Sequence, residues 1–156
     1  MKTVLLIILL IFYVPAAAGA GLSNNIQINS DTLKIDSKGR TASFSGHVKA
    51  DLGSLVFTCR KMVVTYDDTG SILKLSASGL VTVKKDGAAA SSDRAVYFAG
   101  SRMLVLSGSP VLKKGGNTLK GSKIEVNIDT GLINIINAAG TFRFDKTRIK
   151  NETSTP

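Results

Sequence analysis

The sequence predicts an all-β protein built from repeats, and three observations carry that prediction. Glycine recurs at 46, 79, 108 and 140 inside one local frame: Phe44-Ser45-Gly46-His47-Val48, Ala77-Ser78-Gly79-Leu80-Val81, Leu106-Ser107-Gly108-Ser109-Pro110 and Ala138-Ala139-Gly140-Thr141-Phe142. The period is about 30 residues, the mark of a repeat architecture whose units bury their apolar faces only by stacking. Each glycine follows a block of strict two-residue alternation, and no stretch after residue 20 carries the 3.6-residue period of an amphipathic helix.

Taken in order, residues 1–20 are an export signal. Lys2 precedes an apolar run from Val4 to Val14, and Pro15 with Ala16-Ala17-Ala18-Gly19-Ala20 supplies a cleavage site after Ala20. A retained membrane anchor is the rival, since Val4 to Leu22 is nearly long enough to span; Pro15 and the Ala/Gly run argue against it. The remaining 136 residues suit one domain, 21–145, followed by a polar tail, 146–156.

Within that domain the alternating blocks are Leu33-Lys34-Ile35-Asp36 leading to Gly39, Val64-Thr65-Tyr66-Asp67 to Gly70, Val96-Tyr97-Phe98 to Gly100, and Val126-Asn127-Ile128-Asp129 to Gly131. Asp before glycine makes a turn by accepting backbone hydrogen bonds, so Asp36, Asp67 and Asp129 read as turn caps and not as a carboxylate cluster; the third copy has Ala99 instead. Beyond each turn Phe44/Val48/Ala50, Ala77/Val81/Val83, Leu106/Pro110/Leu112 and Ala138/Phe142/Phe144 share one parity and hence one face. Elsewhere the parity slips by one, from Ile26 and Ile28 to Leu33 and Ile35, from Phe57 and Cys59 to Val64 and Tyr66, and from Leu119 to Val126 and Ile128. A slip at the same place in each unit predicts a bulge or corner that keeps the inward face inward. Roughly a dozen short strands follow from the usual strand length of about 5–6 residues.

Composition removes several function classes. A single cysteine, Cys59, excludes an internal disulfide, and its inward parity makes it a buried structural thiol. A single histidine, His47, on the outward parity, excludes a catalytic triad and a multi-histidine metal site. Gly115-Gly116 does not open a helix and is no phosphate loop, and Asn151-Glu152-Thr153 carries no weight as a glycosylation site. No enzyme, metal or cofactor is expected. Removing Lys2 leaves 19 basic against 11 acidic residues, a charge of +8. The basic residues are dispersed through turns and the outward parity, at Lys34, Lys49, Lys84-Lys85, Lys113-Lys114, Lys120, Lys123 and Arg143. They suit a solvated face or an anionic lipid headgroup. Nucleic acid is not expected, because the chain is exported and spare aromatics for base stacking are missing.

The ordered series Ile28-x2-Asp31-x-Leu33-x-Ile35-Asp36, Ala42-x-Phe44-Ser45-Gly46-x-Val48, Val64-x-Tyr66-Asp67-x2-Gly70-x-Ile72, Ala77-x-Gly79-x-Val81-x-Val83, Leu104-x-Leu106-x-Gly108-x-Pro110 and Gly121-x2-Ile124-x-Val126 resembles the OstA-like family of periplasmic lipopolysaccharide transport proteins, the LptA family. The similarity covers nearly all of the chain after the export signal. It implies an antiparallel β-jelly roll, twisted and open along one side. It further implies a place in the periplasm between an LptC-like inner-membrane protein and an LptD-like outer-membrane translocon, with copies stacked head to tail into a bridge.

The inward parity supplies a candidate lipid-binding lining: Leu33, Ile35, Phe44, Val48, Val64, Tyr66, Val81, Val96, Phe98, Leu106, Leu112, Val126, Ile128, Phe142 and Phe144. In a closed roll these side chains fill the core; in an open roll they form an apolar groove for the acyl chains of lipid A, with sugars and phosphates outside near the lysines. Open backbone groups on the first strand, around Ile26-Gln27-Ile28, and on the last, around Phe142-Arg143-Phe144, would join copies edge to edge. The alternatives are an LptC-like subunit that keeps residues 1–20 as an anchor, and a polymerising β-solenoid scaffold with a closed core and no lipid cargo.

Overall fold

Alternation and turn residues divide residues 26–143, which the computed structural model describes, into twelve strands. Short strands β1 (Gln27–Asn29) and β2 (Thr32–Asp36) lead into four long ones, β3 (Thr41–Asp51), β4 (Val56–Tyr66), β5 (Ile72–Lys85) and β6 (Ala88–Phe98). Six short strands follow: β7 (Met103–Ser107), β8 (Val111–Lys114), β9 (Asn117–Lys120), β10 (Lys123–Asn127), β11 (Ile133–Ile136) and β12 (Ala139–Thr141). Residues 1–20, expected to be an export signal, Phe144 and the tail 146–156 lie outside the described residues. Every strand pair is antiparallel, so the β-solenoid alternative, whose coils stack in parallel, does not hold.

Register divides this one sheet into two leaves. In the first, β2 pairs with the start of β3, which continues through the second half of β4, the first of β5 and the second of β6 to β7, β10 and β11. In the second leaf, β1 pairs with the end of β3, which continues through the first half of β4, the second of β5 and the first of β6 to β8, β9 and β12. Buried side chains from both leaves form one core, with Val48, Phe57 and Val83 from the second packed with Met62, Leu75, Leu106 and Ile124 from the first. The leaves therefore face each other as a roll hinged along the line where the registers shift.

That seam is where the glycines and the parity slips meet. In the β3–β4 and β5–β6 pairings two residues of the glycine-bearing strand oppose one residue of its neighbour, and the register jumps between Ser45 and Val48 on β3 and between Ser78 and Val81 on β5. Gly46 and Gly108 have φ of +78° and +76°, and the residues after them, His47 and Ser109, are also left-handed at +45° and +51°. A Cβ on Gly46 would fall within 2.2 Å of Asp31 and one on Gly108 within 2.6 Å of Asp93, so both conformation and space demand glycine. The amides of Asp31 and Asp93 donate to the Gly46 and Gly108 carbonyls at 2.9 and 3.0 Å, so the corner keeps its backbone partners. The slip in β6 carries the one buried polar side chain among the described residues, Ser92, whose hydroxyl donates to the Arg94 carbonyl at 2.9 Å. The fourth frame is a correction: Gly140 lies within β12, and the corner falls at Asn137 (φ +53°), opposite Ser122. Asn tolerates the left-handed region, so it replaces glycine there.

Two of the three expected turn caps form as read. Asp36 accepts from the Gly39 amide, and Asp67 accepts from the amides of Thr69 and Ser71 and the Thr69 hydroxyl. Those bonds, the Thr69 hydroxyl first, hold the Asp67 carboxyl below its ordinary range. Asp129 departs from the pattern: Asn127 caps that turn through the amides of Asp129 and Thr130, and Asp129 pairs with the Arg102 guanidinium at 2.9 Å.

Candidate functional site

Opposite the seam the leaves end in two rows of turns, and the roll gapes between these lips. Two regions of open space lie there, the C-terminal one lined mainly by apolar side chains and the N-terminal one of mixed character. On the C-terminal side a cavity of about 280 Å³ is walled by Val83, Ala90, Leu112 and Leu119 of the second leaf and by Leu104, Leu106, Val126 and Ile133 of the first, with Ile128 and Phe142 at its ends. On the N-terminal side two adjoining cavities of about 340 and 380 Å³ share Ile26, Gly70 and Ile72. Ile28, Ala42, Phe44, Val64 and Tyr66 line the first; Leu52, Leu75, Tyr97 and Arg102 are among the walls of the second. The β3–β4 turn stands between the two sides, Leu52 facing the N-terminal cavities and Leu55 the C-terminal one, with the Leu52 amide donating to the Leu55 carbonyl at 2.9 Å.

Eight of the residues expected in a lining border these cavities: Phe44, Val64 and Tyr66 on the N-terminal side, and Leu106, Leu112, Val126, Ile128 and Phe142 on the C-terminal side. Leu33 and Ile35 pair with Phe44 and Ala42, so they share the inner face, yet they are 51% and 61% exposed because β2 is an edge strand. Val48 and Val81 are sealed beside the seam and belong to the core. Val96 and Phe98 are a correction. Ala95 and Tyr97 take the inner positions of β6, and Phe98, 41% exposed, faces outward beside Lys74 and Met103. Residues 95–99 are all apolar, so alternation could not assign the parity; the register of Tyr97 with Leu75 and Leu104 does. Phe144 lies outside the described residues.

Alternation in Leu104-x-Leu106 marks Leu104 as a lining residue, whereas Leu119 and Ile133 need the strand register to place them. Two lysines also change sides. Lys85 and Lys114, grouped by sequence with the outward charges, continue the inward rows Val81-Val83-Lys85 and Leu112-Lys114 and reach the C-terminal cavity. Lys85 bonds Asp86, and that bond, with Lys114 nearby, holds the Asp86 carboxyl below its ordinary range.

The remaining chemistry is structural. Burial pushes the Cys59 thiol up, as expected of an inert core cysteine. His47 is on the outside, its Nδ1 2.7 Å from Asp31 Oδ2 across the seam corner. Among the described residues no group of three His, Cys, Asp or Glu side chains is placed to hold a metal ion.

Comparison with known proteins agrees with this geometry. The chain is 30% identical over 124 residues to an uncharacterized protein of Rhizobium meliloti (strain 1021), covering 72% of this chain and 67% of that one. It is 28% identical over 105 residues to an uncharacterized protein of Rickettsia prowazekii (strain Madrid E), covering 64% and 72%. Among solved structures its fold is similar to that of LptH, the LptA-homologous periplasmic component of the lipopolysaccharide transport device of Pseudomonas aeruginosa. The TM-score is 0.70 at 18% identity, over 76% of this chain and 94% of that one. The family model described as LptA/(LptD N-terminal domain) LPS transport protein matches residues 27–132, from the first strand to the turn before β11. With the corners, the open antiparallel sheet and the gaping roll in place, that match makes this chain a member of the LptA/LptD N-terminal (OstA-like) family, a transport protein and not an enzyme.

Proposed function

We propose that this chain carries lipopolysaccharide from the inner to the outer membrane, with the acyl chains lodged between the lips of the roll. The observation that carries this reading is the unsealed apolar inner face. Leu33 and Ile35 at one end, and Ile133 and Phe142 at the other, extend the core rows into solvent where a closed roll would cover them. Each methylene taken up there gains about 0.8 kcal/mol over water, close to what a bilayer already supplies, so a chain moves along such a surface without becoming trapped. Segment 1–20 directs export and is cut after Ala20, which places the working protein in the periplasm. An LptC-like protein hands lipid to it and an LptD-like translocon receives it. Among the described residues, edge strands β1 and β2 at one end and β11 and β12 at the other each pair on one side only, which suits head-to-tail addition of further copies.

The test is photo-crosslinking in cells. A photoreactive residue at Tyr66 or Val126 should give lipopolysaccharide adducts, while one at outward Phe98 should give none. Normal expression and folding with no adduct at either inner position would sink the proposal.

A further inference from the structure

The lysines at the C-terminal lip are placed by a repeated device. Lys84-Lys85 and Lys113-Lys114 each lead into a two-residue hairpin turn, Asp86-Gly87 and Gly115-Gly116, whose residues all have positive φ (+47° and +77°, +55° and +79°). Because the turns are this short, register fixes parity. Lys84 and Lys113 point outward, while Lys85 and Lys114 end inner-face rows that are otherwise apolar. Lys85 pairs with Ala88, Lys114 pairs with Asn117, and Ala89 pairs with Lys113, so the four cavity-lining residues Lys85, Ala88, Lys114 and Asn117 lie side by side along the lip. Two strand spacings, about 10 Å, separate the lysine backbones, within reach of two long side chains converging on one group.

A third cation stands close by. A Cβ on Gly116 would lie 3.4 Å from the Arg143 side chain, and the Arg143 amide donates to Asn117 Oδ1 at 2.7 Å. Asp86 is the one carboxylate lining the cavity, so the lip holds more positive than negative charge. The N-terminal cavities differ: their one charged lining residue, Arg102, is bonded to Asp129.

We infer that Lys85 and Lys114 form a headgroup site at the mouth of the C-terminal cavity, which takes the phosphate of an acylated lipid while its chains occupy the apolar wall behind. The inference rests on the lipid-carrying reading above and adds to it which end of the roll reads the headgroup and through which residues. Lysine is suited to this as a point charge that follows a moving phosphate, and Asp86 tempers its hold.

The experiment measures binding of diphosphorylated lipid A, and of the same lipid stripped of phosphate, to the purified chain in neutral detergent micelles at low salt. The unaltered chain should bind the phosphorylated lipid about tenfold more tightly, as expected for one charge-assisted contact. Lys85→Gln with Lys114→Gln should abolish most of that preference. Lys84→Gln with Lys113→Gln, which removes the same charge from the outer face, should preserve it, and Asp86→Asn should enlarge it. If both lipids bind and the preference survives in the Lys85/Lys114 variant, the headgroup site is overturned while the apolar cleft stands. If the outward pair abolishes the preference equally, net charge and no site explains it, and the inference again fails. Binding of neither lipid would overturn the cleft and the headgroup site together.

Discussion

Pro110 and Lys114 stand four residues apart, one enclosed at the seam of the roll and the other at the lip of its cavity. The same contrast holds along the other crossing strands. Val48 and Val81 are buried beside left-handed corners, whereas Tyr66 and Lys85 at the strand ends border open space. At the seam two leaves meet, so every inward side chain has a partner and every glycine a neighbour's side chain against it. At the lips the leaves have diverged and the same inward row runs out of partners. A sheet bent once in this way has a buried spine and an exposed apolar mouth, and it is the mouth that the lipid-carrying proposal uses.

Substitutions should separate the two regions. Leu106 is fully buried, so Leu106→Ala should cost about 2–5 kcal/mol, read as a lower urea midpoint with unchanged slope. Phe142→Ala at the lip should lower that midpoint much less than Leu106→Ala does, since Phe142 is 57% exposed, yet lower lipid crosslinking from Val126. A large stability loss for Phe142→Ala would erase the distinction.

Glycines sharpen the comparison at smaller cost. Gly108→Ala combines a left-handed backbone with a Cβ 2.6 Å from Asp93 and should cost about 2 kcal/mol or more. Gly87→Ala at the lip has the same backbone penalty with nothing within 4 Å, and about 1 kcal/mol is expected. Equal melting points for the two variants would mean that the close approach at the seam matters little.

The smallest effect concerns acid. The folded Asp67 carboxyl is depressed below its unfolded value by the Thr69 hydroxyl and the turn amides. Its contribution is therefore present above about pH 4 and lost as pH falls through the folded value. Asp67→Asn should flatten the dependence of the urea midpoint on pH between about 5 and 3, while leaving the seam residues' contribution untouched. An unaltered pH profile would remove Asp67 from the account of acid sensitivity.

Much of the seam was legible in the sequence. The glycine frames gave three of the four corners, and the parity slips located the facing strands, because a left-handed residue and a two-residue period are local properties of the chain. The fourth corner was missed because Asn137 does the work of glycine three residues before Gly140. The lips were less legible. Lys85 and Lys114 sit beside lysines of the opposite parity, and composition alone cannot separate an outward charge from one that ends an inward row.

The sequence by itself determined an all-β chain of short alternating strands, where those strands turn, and the inward rows of Val81-Val83 and Leu104-Leu106. Only the tertiary structure decided that Tyr97 and not Phe98 faces inward, that Leu33 and Phe142 remain exposed at opposite edges, and that two lysines reach the cavity mouth. The physical reason is the range of the interactions. Alternation and turn chemistry act over two to four residues, whereas exposure at an edge and the gap between lips depend on register and on how two distant leaves meet.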